Sequence, residues 1–174
     1  SESLGLEGRA GYFDHTGTLR DMVQNHLLMM TSLLTMPIKD TEDGIRESRL
    51  YALSQLYLPP ATNLSEVVLQ GQYTGGNVRG ESVVGYREEE GVMENSRTNA
   101  YVALKLNSRE SRWQGVPFLV RAGKCLPVTA VEAIVELHYP PQVVFNAETP
   151  SLPNYFRFQL SPNVVIALGT RVKA

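Results

Sequence analysis

The sequence is short of several things, and each shortage closes off a class of protein. It holds a single cysteine, Cys125, so no internal disulfide framework is available and a reducing, cytoplasmic compartment is expected. The most apolar run, LLMMTSLLTM, is ten residues with three hydroxyls, too short and too mixed to span a bilayer. Neither sign of charge dominates: 16 Lys and Arg against 18 Asp and Glu leave a net charge of −2. That balance gives no electrostatic reason to expect nucleic acid or an anionic membrane as partner. No G-x-G-x-x-G occurs, and the glycine clusters in AGYFDHTG and QGQYTGG lack the strand-to-helix setting of a nucleotide fingerprint. His15, His26, Asp14 and Asp21 match no standard metal-ligand spacing, so no metal is expected. The first residues are polar and Gly-rich, unlike a signal peptide. There is no internal repeat and no low-complexity tract.

What is present is globular: 174 residues, 43% hydrophobic and 20% charged, are enough for one domain with a sizeable core. The lead-in SESLGLEGRAGYFDHTG reads as loop. Thr18 then caps a helix that runs to about Met36, before Pro37. Leu19, Met22, Val23, His26, Met30 and Leu33 share one stripe at three- and four-residue spacing. Leu27, Leu28, Met29 and Leu34 widen it until most of the helix looks buried. A second, polar helix is predicted from Thr41 to about Leu56, closed by Pro59 and Pro60. Beyond it the period becomes two. EVVLQGQYTGG reads as a strand followed by a charged loop through GYREEEGVMENS. TNAYVALKLN, PFLVRAGK, VEAIVELHY, NYFRFQL and NVVIALGTRV are five further strands, the last two joined tightly at SP as a hairpin. No helix separates these strands, so the fold class is α+β: two helices followed by a mostly antiparallel sheet, with the helices on one face.

Three residues invite chemistry. His26 lies on the apolar stripe, where a buried core histidine is the simpler reading, yet partial burial also keeps an imidazole neutral and able to accept a proton. Asp21 sits at the third position of a capping box begun by Thr18. On an α-helix five residues turn through about 140°, so Asp21 and His26 would flank a pocket rather than stack. Lys124, at the end of an apolar strand, is either a phosphate-binding ammonium at a sheet edge or a solvated turn lysine. Cys125 reads as a buried, inert thiol, His15 and His138 as surface residues, and Trp113, Tyr139 and Phe156 as core or strand-face aromatics.

The same residues carry a resemblance. EGRAGYFDHTGTLRDMVQNHLL resembles the G-Y-F/Y-D-x-x-G-x-x-R-D-x-x-Q-N-H segment of the glucose-6-phosphate dehydrogenase family. QGQY, SRTNAYVALKLN and RWQGVPFLVRAGKCLP are similar to later family segments in the same order, and NYFRFQLSPNVVIAL more loosely to a following strand pair. The resemblance implies NADP-dependent oxidation of glucose 6-phosphate at C1 to 6-phosphogluconolactone, the first step of the oxidative pentose phosphate pathway. It implies His26 as general base, and Asp21, Lys124 and, by ungapped counting, Glu2 as substrate-binding residues.

The resemblance also implies that residues 1–174 are part of a C-terminal substrate and dimerisation domain. The family's N-terminal Rossmann domain, which binds NADP, and its R-I-D-H-Y-L-G-K-E segment do not occur in this sequence. No cofactor-binding residue is therefore expected here, and the chain alone is expected to be inactive. CLPVTAV lacks the basic residues that accompany a second, structural NADP in some members, and Ser161 stands where others use a glutamine for substrate. A homo-oligomer, a dimer formed through the sheet, is expected. The alternative is a non-catalytic binding or assembly module related to that domain.

Overall fold

The computed structural model describes residues 5–6, 8–139 and 153–170. The chain divides into two compact units, Ser1–Pro127 and Val128–Ala174.

In the first unit the helical region begins earlier than the sequence suggests. α1 spans Ala10–Thr18 and buries Ala10, Phe13, Asp14 and Gly17, an i, i+3, i+4, i+7 face. Glycines and polar residues hide that face in a segment that reads as loop. Gly17 breaks the run with φ 68° and ψ 166°, backbone that favours glycine. An added Cβ there would sit 3.1 Å from Thr98 Cγ2 and 3.3 Å from Asn99 Oδ1. The expected boundary at Thr18 is thus real, but the expected cap is not. Thr18 is buried, and its Oγ1 has no partner among the described residues. Asn99 supplies the cap instead: its carbonyl oxygen accepts from Thr18 N–H (3.0 Å) and its Oδ1 from Leu19 N–H (3.2 Å).

A π-helical segment follows, Leu19–Leu27, and then α2, Leu28–Thr35. In the π segment each N–H bonds five residues back rather than four, as Leu28 N–H does to the Val23 carbonyl where the segment ends. Within the segment Val23 alone is classed as buried, while Leu19, Met29, Leu33 and Leu34 stay exposed along the helical run. The predicted burial of most of the helix therefore fails: from Leu19 to Thr35 the buried residues are Val23, Ser32 and Thr35. The face of α2 that turns inward carries Ser32 and Thr35, whose hydroxyls donate back to the Met29 and Thr31 carbonyls. The carbonyl of Thr35 accepts from Arg112 Nη2 and Trp113 Nε1, both at 3.1 Å, which satisfies the end of α2. α3, Glu42–Gln55, starts where expected: Thr41 Oγ1 accepts from Gly44 N–H at 3.1 Å. It stops before the two prolines, because Leu56 turns extended and opens a strand.

The strands of this unit are β1 (Leu56–Tyr57), β2 (Val68–Gly71), β3 (Gly76–Val78), β4 (Glu81–Val83), β5 (Tyr101–Ser108) and β6 (Phe118–Gly123). β5 is the hub, paired antiparallel with β6, β2 and β1. Val102, Leu104 and Leu106 face the same side as Ala122, Val120 and Phe118, their cross-strand partners. Against that side pack Val23, Met22, Leu27 and Leu28, forming one core cluster. A second cluster joins Leu6, Ala10 and Phe13 to Tyr86 and Ala100. The charged stretch expected to be loop contains the β3–β4 hairpin, turned at Arg79 (φ 58°) and Gly80 (φ 91°).

The second unit is a three-stranded antiparallel sheet of β7 (Val131–Glu136), β8 (Tyr155–Ser161) and β9 (Val165–Gly169). The β8–β9 hairpin at Ser161-Pro162 is as predicted. Ala133, Val135, Phe156, Phe158, Leu160, Ile166 and Leu168 share one face by register, and Glu132 pairs with Arg157 on the other. Among the described residues, then, the expected single sheet is three antiparallel sheets, while the α+β class stands. Tyr139, expected to pack, is exposed.

Candidate active site

The π segment carries Arg20, Asp21, Gln24, Asn25 and His26. A turn of i→i+5 bonds takes in more residues than an α turn. Asp21 and His26 therefore lie closer in angle than the roughly 140° expected for an α-helix. His26 is exposed, so the reading of a buried core histidine is overturned. Asp21 is half-buried and caps nothing with Thr18.

Lys124 follows β6 directly. Its backbone N–H donates to the Ala100 carbonyl (3.0 Å), prolonging the β5–β6 pairing by one step. The residue is 5% exposed, which overturns the solvated-turn reading, and its Nζ stands 5.4 Å from the centre of the Phe13 ring. A small pocket brings Asp21 and Lys124 together with Leu6, Arg9, Tyr12 and Phe13. His26 is not in that lining; it stands one π turn further along. Glu2 lies outside the described residues. Arg9 and Tyr12 were not singled out from the sequence. Their signal was the spacing of a helix face, hidden because GRAGYFD reads as loop.

The pocket thus holds two cations and a carboxylate around an aromatic wall. Such a set suits an anionic polyol: ammonium and guanidinium for a phosphate, carboxylate for hydroxyl hydrogens. Around it the framework is heavily hydrogen-bonded. Asp14, 6% exposed, accepts from Tyr86 Oη (2.8 Å) and from Ser96 Oγ, and its backbone carbonyl accepts from Thr98 Oγ1. Burial works against its charge, but the hydrogen bonds from Ser96 and Tyr86 outweigh it and leave the carboxyl below its ordinary value. Burial first, and then the Asp14 carboxylate, push the Tyr86 phenol upward. Tyr73 donates to Glu89, and burial followed by that carboxylate raises its phenol too. Burial also raises the Cys125 thiol, although a hydrogen bond with Tyr73 opposes it, so the thiol is not an activated nucleophile.

No described strand leads into a helix through a glycine-rich turn, and every described strand pairing is antiparallel. These residues therefore do not fit a dinucleotide as a Rossmann unit would. No group of three or more metal-ligating side chains is present among the described residues.

The model of the glucose-6-phosphate dehydrogenase C-terminal domain matches residues 1–174. The chain is 40% identical over 166 residues to glucose-6-phosphate 1-dehydrogenase of Dickeya dadantii, covering 94% of this chain and 34% of that protein. To the Bacillus subtilis enzyme of the same name it is 36% identical over 176 residues, covering 99% and 36%. Among solved structures, glucose-6-phosphate 1-dehydrogenase from Mycobacterium avium superimposes with a TM-score of 0.82 at 31% identity, over 99% of this chain and 36% of that one. A glucose-6-phosphate dehydrogenase in complex with its substrate glucose 6-phosphate gives a TM-score of 0.81 at 32% identity, over 96% and 33%. The chain spans about a third of the length of the curated relatives it matches.

Proposed function

The chain belongs to the glucose-6-phosphate dehydrogenase family, and from that premise we propose that it is the substrate side of a longer enzyme that oxidises glucose 6-phosphate at C1. The observation that carries this reading is the pocket, where Asp21 and Lys124, far apart in sequence, meet on one lining. Lys124, with Arg9, takes the phosphate, and Asp21 accepts hydrogen bonds from sugar hydroxyls. Glu2 is proposed as a further substrate contact on the strength of the motif alone. His26, one π turn from Asp21, takes the C1 hydroxyl proton as hydride leaves; an exposed imidazole on a rigid helix suits a base that must reach substrate.

NADP is the proposed hydride acceptor. Since the described residues offer no dinucleotide cradle, it would be bound elsewhere in the longer protein, and residues 1–174 alone would not turn over. The enzyme is proposed to be cytoplasmic and a homodimer through sheet surfaces of this domain. No described helix is long and apolar enough to cross a membrane.

The test is NADP reduction by the full-length protein with glucose 6-phosphate, beside the variant His26→Asn. A fall in kcat of about 10²- to 10⁴-fold with KM nearly unchanged is expected. Near-normal turnover of the variant would remove His26 from the proton transfer. An inactive unmutated protein would favour the alternative, a non-catalytic binding module.

A further inference from the structure

The segment Ser96–Ala100 matches a family motif in sequence, yet nothing in the proposed chemistry uses it. It lies beside both halves of the pocket. Asn99 holds the start of the helix that carries Asp21, through its carbonyl oxygen to Thr18 N–H (3.0 Å) and its Oδ1 to Leu19 N–H (3.2 Å). The next residue, Ala100, holds the strand end that carries Lys124, accepting from the Lys124 N–H at 3.0 Å. Ala100 N–H in turn donates to the Gly71 carbonyl (2.9 Å), which anchors the pair to β2. The Asn99 amide is fixed in orientation, since its Nδ2 donates to Gln70 Oε1 at 3.4 Å. Gly17 allows this approach, because any side chain there would meet Asn99 Oδ1.

From this juxtaposition we infer that Asn99 is a positioning residue, the joint that sets Asp21 against Lys124 in the pocket. The inference rests on the proposed roles of those two residues. The first N–H groups of a helical segment have no partner within it, so without Oδ1 the Leu19 N–H must find water, and the first π turn is free to shift relative to β6. Asp21 lies two residues beyond Leu19 and moves with it. Small displacements of a substrate-positioning group are costly to binding and rate. Loss of a single cap is worth roughly a three- to tenfold change in an equilibrium constant.

The experiment uses the full-length enzyme and the variants Asn99→Ala, Asn99→Asp and, as a check on the underlying reading, Asp21→Ala. Asn99→Ala is expected to raise KM for glucose 6-phosphate about three- to tenfold. Its KM for NADP should be unchanged, and its kcat should fall by a smaller factor than its KM for glucose 6-phosphate rises, a split that general loss of structure would not produce. Asn99→Asp keeps the acceptor and should return the sugar-phosphate KM to near its original value. Amide exchange at Leu19 should quicken in the first variant and not in the second. An unchanged KM in Asn99→Ala, with KM raised in Asp21→Ala, would overturn the inference and spare the reading. Equal loss in both Asn99 variants, or a uniform fall in every kinetic constant, would also overturn it. If Asp21→Ala leaves KM unaltered, the reading itself falls and the inference with it. Should Asn99→Ala misfold, Asn99→Gln, whose acceptor is displaced by one methylene, must show the same KM rise.

Discussion

Asp14 is a buried carboxylate that accepts from the hydroxyls of Ser96 and Tyr86, with a backbone hydrogen bond at Met93 beside them. Its folded-state pKa lies below the ordinary 3.8, so the ionised form is favoured by folding. The stabilisation is complete above the unfolded value and is lost as pH falls through the folded one. The variant Asp14→Asn should therefore be less stable than the unmutated protein near neutral pH, and the gap should narrow as pH drops below about 4. Urea unfolding at a series of pH values measures it; a gap that widens in acid would contradict the assignment. The sequence showed this carboxylate as part of a family motif and as a rejected metal ligand but not its buried role, because its partners lie 72 to 84 residues away. For Lys124 likewise, the sequence offered a choice between phosphate ligand and solvated turn. Its burial against Phe13 depends on α1, which the sequence did not reveal.

Among the elements, the helical run from Ala10 to Thr35 was the most instructive. Its apolar content announced a helix, and Gly17 and Thr18 marked a boundary at the right place. Neither the π winding nor the cap from Asn99 was legible, since residue propensities speak to i→i+4 bonding and local partners, whereas both features come from packing on β5 and the preceding loop. The strands of highest β-branched and aromatic content were all read correctly as strands. The β3–β4 hairpin was missed because its strands are three residues each and short of apolar alternation. Gly17 is where the helical run is most exposed to a single change. Alanine there must adopt a backbone conformation that L residues rarely occupy and must press on Thr98 and Asn99. Gly17→Ala should cost about 1–3 kcal/mol, read as faster amide exchange across α1 and the π segment and a lower Tm. Unaltered exchange would mean that the break at Gly17 is not needed.

For the molecule as a whole, the three-stranded sheet of the second unit presents an apolar face on which Leu160, Ile166 and Leu168 are exposed. Such a surface suits a subunit contact, and the proposed homodimer gives it a use. Light scattering of the full-length protein should return a dimer mass, and Ile166→Glu, at a position 74% exposed, should shift it toward monomer while Tm holds. A monomer in the unmutated protein would defeat the proposal. The tie between Leu19 and Asn99 spans 80 residues, and that separation has a consequence in time. A ribosome adding roughly 5–20 residues per second needs about four to sixteen seconds to cover it. For that interval the segment carrying Asp21 and His26 lacks the loop that caps it, and the Tyr86 and Ser96 hydroxyls that hold Asp14 are made only late in it. The part of the chain made first acquires its working shape only after a part made much later arrives.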